Sequence, residues 1–353
     1  MKGLILSGGF GERLRPLTYS QQKQLIPVAN KPILLYCIED LINAGIKSIG
    51  IIVGPNREQV MDTVRAANPD ADIEFIYQEF PGGLAHAVKT GESFLGDDNF
   101  IMYLGDNLLK GGINEFVSSF SGSQAAASLL LTTTEHPERF GMALVDEQKN
   151  VITKLAEKQK QPLSNLIIVG IYGLTPIIFE AISNLKPSWR NELEITDALQ
   201  WLIDNGYSVQ YGMVEGWWKD TGLPEDILEA NRLVLDDIAT ENKGKIKDSQ
   251  ITGAINIGEG SSIESGSRVQ GPVVIGQNCV ISKARIGPNT SIGNNCHIIN
   301  TEIENSIIME NSKITNAGKI VDSLIGNNVD IARNDDVPVG TQFIIGDSSK
   351  VKL

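Results

Sequence analysis

The sequence predicts two architectures in one chain: an α/β domain with a mostly parallel sheet over residues 1–240, then a parallel β-helix over residues 241–353. Short β-branched runs alternate with amphipathic segments in the first part, which is typical of parallel strands covered by helices on both faces. Isoleucine and valine recur about every six residues in the second part, a period that indicates a β-helix. Residues 236–247 are polar and poor in apolar side chains, as expected of a linker.

The α/β part is expected to begin with a buried strand over residues 3–6. Further strands are expected at 48–54, 73–77, 100–104, 125–131, 167–172 and 209–213. Helices are expected over 32–44 and 58–67, after the double glycine to about Phe94, from Pro176, up to Gly206, and from Pro224. Ligands of such sheets bind at the carboxyl ends of the strands, so the loops that follow the strands are the candidate site.

The six-residue repeat has fifteen apolar anchors, four of them reached by a shortened step of five residues. They are Ile251, Ile257, Ile263, Val269, Ile275, Ile281, Ile286, Ile292, Ile298, Ile303, Ile308, Ile314, Ile320, Ile325 and Ile331. Three hexapeptides make one triangular coil with the anchors stacked inside, so the repeat predicts about five coils.

A glycine-rich turn, Gly8-Gly9-Phe10-Gly11, follows the first strand. Glycines let a ligand approach the backbone, and successive turn amides can form a nest that binds anions. Arg13, Arg15 and Lys23 add positive charge, although the formal net charge of the chain is -13. This combination indicates a polyanionic ligand, most simply a triphosphate, whereas the glycines alone are also compatible with a plain turn. The spacing fits neither the Rossmann fingerprint nor the P-loop.

Three further polar residues lie where strands end or helices begin. Gln78 both donates and accepts, so its amide could pair with a nucleobase edge or could simply be solvated in a loop. Asp106 follows the strand at 100–104 and could bind a cation or cap the next turn. Asp220 could likewise be a helix cap, and the preceding Trp217 and Trp218 by themselves indicate packing.

Length and composition exclude several classes of protein. The 353 residues, 41% of them hydrophobic, are enough for a large core and a second domain, and no apolar stretch approaches a membrane span or a signal peptide. A cytoplasmic location is therefore expected, and the acidic balance argues against nucleic acid as a partner. Cysteine and histidine are too scattered for a disulfide framework or a metal centre built on them: Cys37, Cys279, Cys296, His86, His136 and His297.

Several longer motifs are specific enough to compare with a family: GGFGERLRPLT, KQLIPVANKP, GGLAHAV, LGDN, AEK, RNELEITDAL and GWWKDTGLPEDILEANRLVL. With them the chain resembles the sugar-nucleotide pyrophosphorylases over essentially its whole length. Within that group it is most similar to the long form of the glucose-1-phosphate thymidylyltransferase family. The resemblance implies a Rossmann-like nucleotidyltransferase domain followed by a left-handed β-helix of hexapeptide repeats.

The resemblance also implies a role for each matching residue. The triphosphate would be held by Gly8, Gly9, Gly11, Arg13 and Lys23, and the base by Gln78 and Gly83. Asp106 and Asp220 would bind Mg²⁺. The sugar phosphate would be held by Asn107, Gly141, Glu157, Lys158, Gly170, Tyr172 and Arg190. Arg13, Lys23, Lys158 and Arg190 would be the catalytic residues, since they neutralise charge.

The implied reaction transfers a thymidylyl group from dTTP to α-D-glucose 1-phosphate and releases pyrophosphate. A phosphate oxygen of the sugar phosphate attacks the α-phosphorus in line, so catalysis is alignment and charge neutralisation by Arg, Lys and metal. No general base is needed, because the attacking oxygen is already ionised near neutral pH. Mg²⁺ accepts one or two carboxylates together with phosphate oxygens and water.

Three positions depart from the family pattern. Glu12 stands where threonine is usual, and its carboxylate would repel a triphosphate unless it points away or pairs with a cation. Ser7 replaces the usual alanine. Phe140 stands where tyrosine is common in short-form enzymes, so a contact through that hydroxyl is not available.

Alternative functions remain open from the sequence. UTP or another sugar 1-phosphate could be the substrate of the same chemistry. The β-helix could transfer an acetyl group with His297 as base, or the chain could be a regulatory or scaffold subunit without turnover. We also expect the β-helix to serve assembly into a homotrimer or homotetramer.

Overall fold

A computed structural model of the chain describes residues 1–333 and 348–351. The last part of the predicted β-helix domain, residues 334–347 and 352–353, lies outside the described residues. The chain forms two compact units. The first comprises Met1–Phe10, Gln21–Leu25 and Ile33–Asp220, and the second Gly11–Ser20, Ile26–Pro32 and Thr221–Leu353. The domain boundary between residues 240 and 241 stays a prediction.

The strands and helices predicted for the first part are present, with ends shifted by a residue or two. The strands up to residue 220 are β1 (Lys2–Ser7), β2 (Pro27–Val28), β3 (Lys31–Pro32), β4 (Ser48–Val53), β5 (Asp72–Tyr77), β6 (Phe100–Leu104), β7 (Asn107–Leu109), β8 (Ala127–Thr133), β9 (Gly141–Asp146), β10 (Val151–Glu157), β11 (Leu166–Leu174), β12 (Val209–Met213) and β13 (Trp218–Asp220). The helices are α1 (Ile33–Asn43), α2 (Arg57–Ala67), α3 (Leu84–Thr90), α4 (Glu92–Leu95), α5 (Asn114–Ser121), α6 (Ile177–Ser183), α7 (Ile195–Asp204) and α8 (Pro224–Leu235). The expectation of one helix running to Phe94 is wrong, because Gly91, a poor helix former, separates α3 from α4.

The first unit is built on a sheet with the strand order β5-β4-β1-β6-β11-β8-β12-β10-β9. The pairings β5–β4, β4–β1 and β1–β6 are parallel. Strand β11 is antiparallel to both of its neighbours in this order, β6 and β8. Helices α1, α2 and α5 pack on one face of the sheet, and α3, α6 and α7 on the other. Alternate residues of β1 enter opposite cores, with Ile5 on one side and Leu4 and Leu6 on the other.

The first strands after residue 240 lie within the segment that the sequence predicts to be a linker. The strands are β14 (Glu241–Asn242), β15 (Lys245–Ile246), β16 (Gln250–Thr252), β17 (Ile255–Ile257), β18 (Ser262–Glu264), β19 (Arg268–Gln270), β20 (Val273–Ile275), β21 (Val280–Ser282), β22 (Arg285–Ile286), β23 (Thr290–Ile292), β24 (His297–Glu304), β25 (Ile307–Ile308), β26 (Lys313–Val321), β27 (Leu324–Ile325) and β28 (Asp330–Ala332). The linker expected at 236–247 is thus partly wrong, since β14 and β15 already pair with β17 and β18. Both strands are short and exposed, so their composition does not differ from that of a linker.

The fifteen anchors stack in three parallel rows of five. One row pairs Ile257, Ile275, Ile292, Ile308 and Ile325. The second pairs Ile263, Ile281, Ile298, Ile314 and Ile331, and the third Ile251, Val269, Ile286, Ile303 and Ile320. Every anchor side chain belongs to one apolar cluster. Parallel strands stacked in this way are consistent with a β-helix.

Asparagines at the corners of these rows adopt left-handed backbone conformations. Asn278, Asn295, Asn311 and Asn328 have φ values of 55°, 59°, 59° and 58°. The side chain of Asn278 donates to Asn295 Oδ1 at 3.3 Å, and that of Asn295 donates to Asn311 Oδ1 at 3.1 Å. Asparagine tolerates this conformation better than most residues. The side chains of Asn278, Asn295 and Asn311 also form a hydrogen-bonded ladder from one corner to the next.

The cysteines form no disulfide, and the helices are not of the membrane-spanning kind, among the described residues. Cys37, Cys279 and Cys296 are free and buried, and the last two are neighbours in the apolar cluster of the anchors. Among the described residues, no helix is both long enough and apolar enough to cross a bilayer.

Candidate active site

The carboxyl ends of three strands from one parallel part of the sheet bring together loops that are distant in sequence. Gly8 follows β1, Gln78 follows β5 and Asp106 follows β6 by two residues. Because β5 pairs in parallel with β4, and β4 and β6 pair in parallel with β1, all these strands end at the same edge of the sheet. This is the edge at which ligands of open α/β sheets bind.

The second aspartate reaches this edge through a short antiparallel pairing. Strand β13 pairs with β7 so that Asp220 lies opposite Asn107, the residue that follows Asp106. The pairing therefore brings Asp106 and Asp220 close together, although 113 residues separate them in the chain.

Lys23 lies between the two carboxylates. Its Nζ donates to Asp106 Oδ2 at 2.5 Å and lies 4.0 Å from Asp220 Oδ1. The lysine side chain is only 8% exposed, whereas the aspartates are 21% and 20% exposed. The ammonium group of Lys23 is thus buried, whereas the two carboxylates that it contacts are partly exposed.

The surroundings of Asp106 favour its ionised form. Burial raises the pKa of this carboxyl, but the charge and hydrogen bond of Lys23 and the hydrogen bond from Asn107 outweigh burial and lower the pKa below its ordinary value. Two carboxylates without a histidine or cysteine are a donor set that suits Mg²⁺. Among the described residues, no three His, Cys, Asp or Glu side chains gather into a larger metal site.

Trp218 and Asn107 form a relay that leads to Asp106. The indole Nε1 of Trp218 donates to Asn107 Oδ1 at 2.7 Å and lies 3.0 Å from the carbonyl oxygen of Val169. Asn107 Nδ2 in turn donates to Asp106 Oδ1 at 2.8 Å. The relay orients the amide of Asn107, since only its nitrogen can donate to the aspartate.

A second cluster of charges surrounds Arg190. The guanidinium lies 3.6 Å from Glu157, 2.7 Å from Glu192 and 3.4 Å from Glu194. Lys158 Nζ is 3.5 Å from the same oxygen of Glu157 that faces Arg190. Glu157 thus holds the two cations that the sequence predicts for the sugar phosphate.

Neighbouring residues fix the orientation of Glu157. Thr196 Oγ1 donates to Glu157 Oε2 at 3.1 Å, and a Cβ placed on Gly141 would lie 3.3 Å from that same oxygen. Burial and the charge of Glu157 raise the pKa of Tyr172 well above its ordinary value, so its hydroxyl stays protonated. Gly170 lies beside the Asn107 amide, which connects this cluster to the aspartates.

The glycine turn is held from below by Gln22. Its Nε2 lies 2.9 Å from the carbonyl oxygen of Ser7, 2.8 Å from that of Gly9 and 2.9 Å from Gln24 Oε1. Gln22 is 5% exposed. These contacts fix the carbonyl groups of the turn, and successive amides of such a turn can bind an anion.

Gln78 lies beside Gly8, and Gly83 lies beside Leu193. A Cβ on Gly8 would be 2.9 Å from Gln78 Oε1, so only a glycine lets the amide lie so close. Gly83 has φ +102°, and a Cβ there would collide with the backbone of Leu193. Leu193 accepts from the Ala85 amide at 3.0 Å and donates to the Gly82 carbonyl at 2.8 Å, which pins this loop to the segment that carries Arg190.

The second unit contains the remaining predicted residues of the turn, Gly11 and Arg13. Gly11 has φ 64° and accepts from Thr18 Oγ1 at 2.7 Å. Glu12, the unusual acid, accepts from Arg15 at 2.9 Å, so a neighbouring cation pairs with its carboxylate.

The other unusual positions have different environments. Ser7 is fully buried, and its Oγ has no hydrogen-bond partner among the described residues. The ring of Phe140 packs edge-on against Trp218 with 5.4 Å between centroids. His297 is exposed on β24 between Val280 and Lys313, neither of which is a carboxylate that could assist a base.

Sequence reasoning missed several residues of the site. Trp218 was expected only to pack, and Gln22, Gln24, His86 and Thr196 were given no role. Their contacts join segments that are far apart in the chain, so no local pattern marks them. Three consecutive polar residues, Gln22, Lys23 and Gln24, are buried, and the sequence carries no signal of that burial.

Comparison with known proteins identifies the family of this chain. The family model described as Nucleotidyl transferase matches residues 2–237, and the one described as GMPPB C-terminal domain matches residues 269–352. The low-salt glycan biosynthesis nucleotidyltransferase Agl11 of Haloferax volcanii is 47% identical over 358 residues, covering 100% of this chain and 100% of its own. A glucose-1-phosphate thymidylyltransferase of Streptomyces antibioticus is 45% identical over 356 residues, covering 100% of this chain and 99% of its own.

A solved structure shares the fold of about two thirds of this chain. It is a Bacillus anthracis protein assigned as a glucose-1-phosphate thymidylyltransferase, in complex with a sucrose, with a TM-score of 0.62 and 35% identity. The match covers 69% of this chain and 98% of that one. The chain belongs to the nucleotidyl transferase family, with full-length relatives among the glucose-1-phosphate thymidylyltransferases.

Proposed function

We propose that this protein transfers a thymidylyl group from dTTP to α-D-glucose 1-phosphate, yielding dTDP-glucose and pyrophosphate. The observation that carries the proposal is Lys23 Nζ between Asp106 and Asp220, at 2.5 Å and 4.0 Å, at the ligand-binding edge of the sheet. Similarity to thymidylyltransferases over the full chain supports the choice of substrates.

The reaction joins two anions, so the main task of the site is to neutralise and align them. A phosphate oxygen of the sugar phosphate attacks the α-phosphorus as the bond to pyrophosphate breaks. The Gly8 and Gly9 amides and Lys23 hold the triphosphate, and Lys158 and Arg190 hold the sugar phosphate. The base rests against Gln78 and Gly83, while the triphosphate roles of Gly11 and Arg13 stay predictions.

Asp106 and Asp220 hold a Mg²⁺ ion in this proposal. Bound there, the ion would add positive charge to the triphosphate, as magnesium does in related phosphoryl transfers. Lys23 keeps the two carboxylates near each other by pairing with both. The low pKa of Asp106 supports the metal role, since only ionised carboxylates are good ligands.

The sugar pocket is built around Glu157. Its carboxylate is oriented by Thr196 and paired with Arg190 and Lys158, and it can accept hydrogen bonds from sugar hydroxyls. Tyr172, whose hydroxyl stays protonated, and Asn107 supply further hydrogen-bonding groups. Gly141 and Gly170 leave room for the ring.

The second part of the chain is a left-handed β-helix in this proposal, as in the family that the sequence resembles. Flat faces of such prisms suit self-association, so we propose a homotrimer or homotetramer and a cytoplasmic location, where nucleoside triphosphates are supplied. Static light scattering at working concentration tests the assembly, and a monomeric mass would reject it.

A pyrophosphate-release assay tests the reaction itself. Purified protein receives dTTP or UTP with glucose 1-phosphate or other sugar 1-phosphates, with and without Mg²⁺. We expect release with dTTP and glucose 1-phosphate that is lost in an Asp106→Asn variant. Release that persists in this variant, or that is absent from the parent, would contradict the proposal.

A further inference from the structure

The amide of Gln78 is held by a histidine that lies outside the predicted site. Gln78 Nε2 is 2.8 Å from Nδ1 of His86, and Gln78 is 6% exposed. His86 lies in the first turn of α3, eight residues further along the chain. The contact is half-buried at the edge of the sheet, beside Gly8.

The imidazole ring of His86 is itself fixed in place. It stacks on Phe80 with 4.4 Å between centroids and 27° between planes. A Cβ added to Gly82 would lie 2.9 Å from His86 Cγ, so the backbone of this loop passes close to the ring. A ring confined by an aromatic ring and by backbone presents Nδ1 in one direction.

This contact decides which way the Gln78 amide points. A primary amide donates from nitrogen and accepts at oxygen, and its two orientations occupy nearly the same space. The amide nitrogen of Gln78 is the atom that faces Nδ1, and an amide nitrogen can only donate, so Nδ1 is the acceptor in this contact. The oxygen and the second N–H of Gln78 are then left, in a fixed order, for a ligand.

We propose that His86 orients the Gln78 amide and thereby makes the site select an imide pyrimidine, thymine or uracil, over cytosine. The inference rests on the proposed function, in which Gln78 contacts the base. Thymine and uracil present an N3–H donor beside the O4 acceptor, which matches the oxygen and N–H of the amide. Cytosine presents an acceptor at N3 beside an amino donor, so it needs the amide in the opposite orientation.

The same argument explains what His86 does not decide. Thymine and uracil present the same edge, so the orientation of the amide does not separate dTTP from UTP. A His86 variant should therefore change the discrimination between thymine and cytosine, and leave that between thymine and uracil as it is in the parent.

The test compares dTTP with dCTP, which share the deoxyribose. His86→Phe keeps the stacking on Phe80 and removes the acceptor, and His86→Asn restores an acceptor near the position of Nδ1. We expect the ratio of kcat/KM for dTTP to that for dCTP to fall at least about tenfold in His86→Phe, chiefly through KM, and to recover in His86→Asn. Dissociation constants for both nucleotides, measured by calorimetry, should show the same pattern.

Two further variants separate a positioning role from a structural one. If His86 acts through Gln78, the double variant Gln78→Leu/His86→Phe should have the same ratio as Gln78→Leu alone. If the phenyl ring of His86→Phe lowers the melting temperature, His86→Leu replaces that variant in the comparison. A parent that transfers from dTTP, with a ratio unchanged in both His86→Phe and His86→Leu, overturns the inference alone. A parent without pyrophosphate release from any pyrimidine triphosphate overturns the proposed function and the inference with it.

Discussion

Asp220 lies opposite Asn107 in the antiparallel pairing of β13 with β7. That single register places the carboxylate of Asp220 within 4.0 Å of Lys23, which already binds Asp106. A slip of one residue would put Lys219 opposite Asn107 and turn the side chains of the strand to the other face. The register of this short pairing is therefore what assembles the two-carboxylate site.

Removing the cation between the carboxylates should impair catalysis strongly. Lys23→Met keeps the length of the side chain and removes its charge. We expect kcat/KM for dTTP to fall at least about 100-fold, since a donor aimed at negative charge in an active site contributes that much. Steady-state pyrophosphate release measures the effect.

The matched control is Lys47→Met, because Lys47 forms an exposed ion pair with Asp70 at 2.5 Å. Pairs of this kind contribute little to stability, so this variant should stay within about twofold of the parent. An equal loss in both variants would mean that Lys23 acts through folding and not through the site.

The relay from Trp218 to Asp106 predicts an effect on the sugar phosphate. Trp218→Phe keeps an aromatic ring against Phe140 and removes the donor to Asn107 Oδ1. The Asn107 amide is then free to turn, so we expect KM for glucose 1-phosphate to rise about tenfold, the effect of losing one to two kcal/mol of hydrogen bonding. Initial rates at saturating dTTP measure it.

Trp189→Phe is the control for this change, since Trp189 is 85% exposed. Its kinetics and melting temperature should match those of the parent. The relay has no functional role if KM for the sugar phosphate stays at the parent value in Trp218→Phe.

Gln22 should control the shape of the glycine turn. Gln22→Leu leaves the carbonyls of Ser7 and Gly9 without their buried donor, which costs about 1–3 kcal/mol. We expect a lower melting temperature and a KM for dTTP raised about tenfold, with a smaller change in KM for the sugar phosphate. Thermal melts with and without dTTP, together with initial rates, report both effects.

Gln148→Leu provides the matched comparison, because Gln148 is exposed in the turn after β9. A Gln22 variant that melts early but keeps the parent KM for dTTP would restrict Gln22 to a structural role.

The asparagine ladder predicts a ranking of stabilities. Asn295→Ala places a residue that disfavours the left-handed conformation at φ 59° and removes the hydrogen bonds with Asn278 and Asn311. Asn295→Gly removes only the hydrogen bonds, because glycine adopts this conformation freely. We expect Asn295→Ala to lower the free energy of unfolding by about 1–2 kcal/mol more than Asn295→Gly does. Denaturant titration measures the difference, and the reverse order would refute the conformational explanation.

Much of the fold could be predicted because its signals are local. The six-residue spacing of anchors such as Ile257 and Ile275 identifies which side chains point inward, and each anchor stacks on the one three hexapeptides earlier. The strands of the first part are likewise marked by β-branched runs. Short exposed strands such as β14 and β15 escaped prediction, since their energy comes from pairing and not from their own composition.

The candidate site could be predicted only in part. Lys23, Asp106 and Asp220 were predicted from charge, strand ends and resemblance, but not that Lys23 lies between the two aspartates. The supporting contacts of Trp218, Gln22 and His86 had no sequence signal, because each is a polar side chain whose partner comes from another segment.

The sequence by itself determined the order of strands and helices, the period of the anchors and the chemical types available to bind anions and a cation. Only the tertiary structure decided which of those side chains meet: Lys23 with Asp106, Arg190 with Glu157, and His86 with Gln78. The physical reason is the distance along the chain over which each signal acts. Hydrophobic periodicity is written along neighbouring residues, whereas a hydrogen bond between distant segments depends on strand register and loop closure, which no short stretch of sequence encodes.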